Sequence, residues 1–163
     1  MQSHRIQRVR ELLKREIGEV IRREISINEA RDRVLAHFGQ IDILVNAAGR
    51  IAKKPTKDLP EAEWGETIET NVTGILRACQ AFYEPLARSG HGRIINIVSL
   101  TSFVSFKEVA AYSASKSALL SLTRSLGTEW APDGINVNAI APGVFRTDLN
   151  RTCWTRQTGG ASY

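Results

Sequence analysis

The chain has 163 residues, 42% of them apolar and 24% charged, with only 5 Pro and 12 Gly. That balance belongs to a globular protein with one real core and excludes collagen-like and wholly disordered classes. No run approaches the roughly 18 apolar residues of a membrane span, and the N-terminus (MQSHRIQRVRELLKRE) lacks the apolar stretch of a signal peptide.

Cys79 and Cys153 are too few for a disulfide framework, and their spacing suggests no metal site. A reducing, cytoplasmic setting is the expectation. Net charge is +5, and much of the excess sits in residues 1–25, with seven basic side chains against four acidic ones. A basic arm for nucleic acid would segregate its charge. Here Glu11 stands with Arg15 and Glu19 with Arg23, the interleaving of a solvated helix face. Neither a nucleic-acid nor a membrane partner is expected.

No internal repeat or low-complexity tract interrupts the chain; helical and extended patterns alternate, as in an α/β sheet. Ser26-Ile27-Asn28-Glu29 is a capping box, Ile27, Ala30, Val34, Leu35 and Phe38 share one helical face, and Gly39 stops the helix. Ile41 to Val45 is a continuous apolar run, suited to a strand buried on both faces of a parallel sheet, and it ends in Asn46-Ala47-Ala48-Gly49. A Lys-rich loop over residues 50–58 precedes a long helix from about Pro60 to Arg88, with Trp64, Ile68, Val72, Ile75, Cys79 and Phe82 as its apolar stripe. Gly90-His91-Gly92 turns into a second strand, Arg93 to Val98. Val109 to Trp130 reads as a helix, and Pro132-Asp133-Gly134 leads into a third strand, Ile135 to Ala141, closed by Pro142-Gly143. The centre is β-α-β-α-β, with right-handed crossovers.

Open parallel sheets bind ligands at the carboxyl ends of their strands. Three such ends carry suggestive residues: Asn46 to Gly49, Ser99, and Pro142-Gly143. Tyr112 and Lys116, four apart on the next helix, share a face. An ammonium about 6 Å from a phenol favours the phenolate by roughly 2–3 kcal/mol at an effective dielectric of about 20. Tyr112 is therefore a candidate general acid/base, and Ser99 a group to steady a substrate oxygen. The plainer reading of the pair is a surface tyrosine beside a lysine stem. What raises the chemical reading is the joint order: Asn-Ala-Ala-Gly, then Ser99, then Tyr112-Ser113-Ala114-Ser115-Lys116, then Pro142-Gly143-Val144-Phe145-Arg146-Thr147.

In that combination the chain resembles the short-chain dehydrogenase/reductase family over roughly residues 20–151. The resemblance implies an NAD(P)-dependent oxidoreductase moving hydride between a nicotinamide and a carbonyl or secondary alcohol. It casts Tyr112 as the acid/base, with Lys116 as its partner and ribose holder. Ser99 takes the substrate oxygen, and Asn71 is the helix-kink asparagine that anchors a proton-relay water. Asn71 also lies on the apolar stripe, where a buried amide needs partners, and the alternative is a satisfied core asparagine. Asn46, Ala47, Ala48 and Gly49 would border the adenine ribose. Pro142, Gly143, Val144 and Thr147 would face the nicotinamide. The matched region resembles the sugar-acid and 3-oxoacyl reductase subgroups.

Departures from the family pattern are equally plain. Its Thr-Gly-x-x-x-Gly-x-Gly phosphate loop is missing, and the only Gly-x-Gly, Gly90–Gly92, stands at a strand's entrance. The expected fold is thus a partial Rossmann-type doubly wound parallel sheet within residues 1–151, lacking the first two strands and the last, with cofactor binding weakened. Arg8 to Glu16 would be the remnant of the second helix. Glu19 to Ile25 would match the third strand, with Glu24 at the adenine-contacting position.

Residues 152–163 are expected to be an unrelated tail. Read from one base before the Cys153 codon, Thr152-Cys153-Trp154-Thr155 gives Leu/Met/Val, Leu, Asp, so a frameshift is the expected origin. In the family's 3-2-1-4-5-6-7 strand order, Ile41 to Val45 becomes an open apolar edge. Marginal stability and homo-oligomers through the two long helices, which resemble the family's dimer-forming pair, are expected. The competing expectation is an inactive remnant serving only as an interaction module.

Overall fold

The structure is a computed structural model that describes residues 26–143. It divides into two compact units between Gln40 and Ile41. In the first, α1 spans Ile27–Phe38. The Ser26 hydroxyl accepts the Glu29 N–H at 3.2 Å, and the Glu29 carboxylate pairs with Arg33 at 2.7 Å. Gly39 adopts φ 77°, the left-handed conformation that favours glycine, and its N–H donates to Leu35 O. The Ser26 cap and the Gly39 stop are used as read, while the Glu29 carboxylate of the expected capping box is bonded to Arg33.

The second unit runs β1 (Ile43–Asn46), α2 (Glu61–Ile68), a π turn (Glu69–Thr73), α3 (Gly74–Ser89), β2 (Arg93–Ile97), α4 (Ala110–Glu129) and β3 (Asn136–Ile140). The strands form a parallel sheet in the order β1-β2-β3, with Asn46 opposite Asn96 and Ile97 opposite Ile140. This is the β-α-β-α-β centre read from the sequence. The sheet is partial, with β1 and β3 as its edges among the described residues.

Strand alternation places Leu44, Asn46, Ile94 and Asn96 on the face that α3 and α4 cover. Leu86, Ile94, Leu119 and Ile135 are wholly buried there and form the heart of the core. The opposite face presents Ile43, Val45 and Ile140, which are 58%, 54% and 52% exposed. Burial of the first strand on both faces is therefore not observed. Its continuous apolar run meets helices on one side only among the described residues.

The long helix is continuous from Glu61 to Ser89 except that its middle widens into the π turn. A turn of that kind inserts an extra residue and rotates the buried face. The buried line reads Thr67, Asn71, Ile75, Cys79, Leu86, while Trp64, on the expected stripe, is 41% exposed. Two features close the end of the layer away from the strand termini. A Cβ on Gly92 would stand 2.8 Å from Leu86 O and 3.1 Å from Ile135 Cγ1, so only glycine fits that approach. Tyr83 donates to Asp133 at 2.8 Å and tilts against Trp130, with ring centroids 5.0 Å apart.

Candidate active site

The carboxyl ends of β2 and β3 stay joined beyond the strands. Val98 N donates to Ile140 O at 2.9 Å, and Leu100 N to Pro142 O at 3.1 Å. Ser99 is thereby held beside Pro142 in extended backbone, its hydroxyl accepting the Thr101 N–H at 3.2 Å. The chain then crosses to α4 through Glu108, at φ 64°, a left-handed conformation uncommon outside glycine. The Glu108 carbonyl accepts the Lys54 N–H at 2.8 Å, which fixes the entry to α4 against the loop after β1.

From this start α4 turns Tyr112 and Lys116 toward the sheet. Lys116 is 4% exposed, its ammonium donating to Ile97 O at 2.7 Å, two residues before Ser99. Its Nζ lies 5.8 Å from the centre of the half-buried Tyr112 ring. Phenol, cation and strand-end hydroxyl thus gather at the carboxyl end of β2. Burial pushes the Lys116 ammonium down to about 8, so it is charged at neutral pH and loses that charge just above.

Asn71 is wholly buried and grips the loop after β1. Its Oδ1 accepts Arg50 N–H at 2.8 Å, while Nδ2 donates to Arg50 O and to Ser115 Oγ, each at 2.9 Å. Ser115 in turn donates to Tyr112 O at 2.7 Å. The π turn, the segment ending at Gly49 and the helix bearing Tyr112 are therefore fastened through one side chain. A Cβ on Gly49 would lie 3.5 Å from Lys116 Nζ and 3.7 Å from Asn71 Oδ1, so the bare glycine backs directly onto both.

A second buried polar line lies deeper. Asn46 Nδ2 donates to Asn96 Oδ1 at 2.8 Å and lies 3.3 Å from Cys79 Sγ. Asn96 Nδ2 donates to Thr123 Oγ1 at 2.9 Å, and Thr123 donates to Leu119 O at 2.8 Å. Burial pushes the Cys79 thiol up to about 11. Ser115, Asn96 and Thr123 escaped the sequence reading. Their small polar side chains carry no motif, and the one available signal was their helical or strand register with Tyr112, Lys116 and Asn46.

Of the residues singled out from sequence, Asn46, Gly49, Asn71, Ser99, Tyr112 and Lys116 converge on these strand ends. Ala47 and Ala48 are exposed, Pro142 is half-buried and Gly143 is exposed. Val144 and Thr147 lie outside the described residues, as do the basic N-terminal segment, Glu24 and the tail. Among the described residues no group of three His, Cys, Asp or Glu side chains is placed to hold a metal, and no helix is long and apolar enough to cross a membrane.

A family model described as short chain dehydrogenase matches residues 14–158. The chain belongs to that family. The NAD-dependent glycerol dehydrogenase of Listeria innocua is 38% identical over 140 residues, which cover 83% of this chain and 55% of that protein. The 2-dehydro-3-deoxy-D-gluconate 5-dehydrogenase of Bacillus subtilis is 46% identical over 108 residues, 66% of this chain and 42% of the relative. Among solved structures, a gluconate 5-dehydrogenase from Burkholderia cenocepacia in complex with NADP and tartrate aligns with a TM-score of 0.77 at 36% identity. That alignment covers 81% of this chain and 52% of the other. This short-chain dehydrogenase chain spans about half the length of the curated relatives it matches.

Proposed function

We propose that this chain carries the proton-transfer half of a nicotinamide-dependent oxidoreductase acting on a secondary alcohol or ketone. The observation that carries the reading is the Tyr112 ring 5.8 Å from the buried Lys116 ammonium, beside the strand end that bears Ser99. The nicotinamide, when bound, accepts or supplies the hydride. In alcohol oxidation Tyr112, as phenolate, takes the hydroxyl proton, and in ketone reduction it returns one to the carbonyl oxygen. The buried charge of Lys116 stabilises the negative phenol oxygen, and Ser99 donates to the substrate oxygen. Both amide protons of Asn71 are committed to Arg50 and Ser115, so they hold the loop and α4 rather than a substrate.

The residues fit the nicotinamide-ribose half of such a cofactor. Lys116 spends one N–H on Ile97 O and has two more for ribose hydroxyls, next to a glycine whose missing side chain leaves room. Asn46 to Gly49, with Pro142 and Gly143, would flank the dinucleotide. NAD and NADP are not distinguished by any of these groups. The names of the relatives, dehydrogenases of glycerol and of sugar acids, favour a polyol or sugar-acid substrate, and the assignment of a cytoplasmic setting goes with it.

A second reading draws on a specific feature. Among the described residues no strand is followed by a Gly-rich phosphate loop, and the Gly-x-Gly of Gly90–Gly92 stands at the entrance of β2, where Gly92 is sealed against Leu86. An inactive family remnant, associating through the paired long helices, accommodates that lack. Titration with NADH and NADPH decides between them. Millimolar-range binding, with turnover of a polyol that Tyr112→Phe abolishes, supports the enzyme. Absence of binding supports the interaction module, whose self-association light scattering would register.

A further inference from the structure

Lys116, Leu119 and Thr123 fall on one face of α4 and are all buried against the sheet. Apolar contact alone is non-directional and leaves a helix free to slide or roll by small amounts. Beside the Asn71–Ser115 bond to the π turn, two directional ties join α4 to the sheet, and both end on adjacent residues of β2. Lys116 reaches the carbonyl of Ile97, and Thr123, about 10 Å further along the helix axis, receives the side-chain amide of Asn96 at 2.9 Å.

Asn96 is itself immobilised. It is wholly buried, stands in register with Asn46, and accepts the Asn46 amide at 2.8 Å. The hydroxyl of Thr123 is used twice, accepting from Asn96 and donating to Leu119 O. The line therefore runs with one polarity from β1 through β2 into α4. Neither Asn96 nor Thr123 is hydrogen-bonded by its side chain to Tyr112, Lys116 or Ser99.

We propose that Thr123, through its hydrogen bond to Asn96, is a positioning residue that sets the axial place of α4 and so seats the Lys116 ammonium on Ile97 O. The inference rests on the reading of Tyr112 and Lys116 as the reacting end of the site, but its test does not. Thr123→Val keeps the side chain's shape and removes both hydrogen bonds, leaving the Asn96 amide buried without an acceptor. The helix then gains by shifting to relieve that amide, and Lys116 leaves its seat for water. Tyr112 is the titratable neighbour of the ammonium on α4, and Ile97 O is its partner on β2.

The experiment is a pH titration of the full chain carrying 13C-labelled lysine, following the Lys116 ε-carbon signal, identified by its loss in Lys116→Met. Thr123→Val moves the Lys116 midpoint upward by about one pH unit, because the escaped ammonium regains hydration. Thr123→Ser, which keeps the hydroxyl, returns it to the wild-type value. Leu86→Val, which loses core packing but none of these hydrogen bonds, leaves it in place. Should Thr123→Val not fold, Thr123→Ala serves the same comparison. A midpoint unchanged in Thr123→Val, or equally displaced in Leu86→Val, overturns the proposal. Cofactor titration of the wild type is scored separately: no nicotinamide binding removes the proposed activity and leaves the seating result standing.

Discussion

The ammonium of Lys116 and the carbonyl oxygen of Ile97 meet at 2.7 Å inside the layer, where the lysine is 4% exposed. Burial lowers the ammonium from 10.5 to about 8. Between those two values the unfolded chain holds a proton that the folded chain has released, so stability rises with pH across the window. The gain amounts to roughly 3 kcal/mol, and below pH 8 it is absent. Urea unfolding of wild type and Lys116→Met at several pH values checks it. The difference between the two proteins should move in the wild type's favour from pH 8 to 10.5; a flat difference contradicts the assignment.

Asn71 offers a sharper loss. Replacing it by Ala strips partners from Arg50 N–H, Arg50 O and Ser115 Oγ at once. Unsatisfied buried groups of this kind cost about 2–4 kcal/mol together. Asn71→Asp keeps the acceptor for Arg50 N–H but sets a buried carboxylate oxygen against Arg50 O, so it should destabilise at least as much as alanine in chemical denaturation.

Two glycines should respond in opposite directions to the same change. Gly92→Ala drives a methyl to within 2.8 Å of Leu86 O, main chain that cannot swing aside, and should cost about 1–3 kcal/mol. Gly65 lies within α2 with nothing within 4 Å of an added Cβ, so Gly65→Ala should stabilise by about 1 kcal/mol through helix propensity. Thermal melts of the two variants make a direct comparison.

The open sheet face predicts a solubility effect. Val45→Lys and Ile140→Lys place charges at positions already 54% and 52% exposed, so folding stability should change by no more than about 0.5 kcal/mol. Self-association through an apolar edge and face should fall. Light scattering at rising concentration would show a smaller mean size in the double variant; an unchanged size argues that this face takes no part in association.

The order of strands and helices was legible because their signals are local: period, capping residues and turn residues lie within a few positions of one another. Tyr112 and Lys116 were legible for the same reason, being one helical turn apart. The hydrogen bonds of Asn71 to Ser115 and of Asn96 to Thr123 join residues 44 and 27 apart in sequence. Nothing in the local pattern distinguishes those serines and threonines from solvent-facing ones. The irregularity at the π turn was legible only through the helix-kink asparagine that the resemblance puts at Asn71, because a count of apolar residues at helical period picks Trp64 and Ile68, whereas the buried line is carried by Thr67 and Asn71. The uncovered face of β1 was hidden, since Ile43 and Val45 read the same whether or not a second helical layer meets them.

Cys79 is wholly enclosed, its sulfur 3.3 Å from the Asn46 amide and its thiol held near 11. At neutral pH almost none of it exists as the reactive thiolate, and no reagent reaches it while the helix stays on the strand. Alkylation of this sulfur therefore proceeds only during transient opening, and its rate becomes a stopwatch for that event. Mass spectrometry reads the stopwatch peptide by peptide, which keeps Cys79 separate from Cys153 and gives a direct measure of how often the layer breathes.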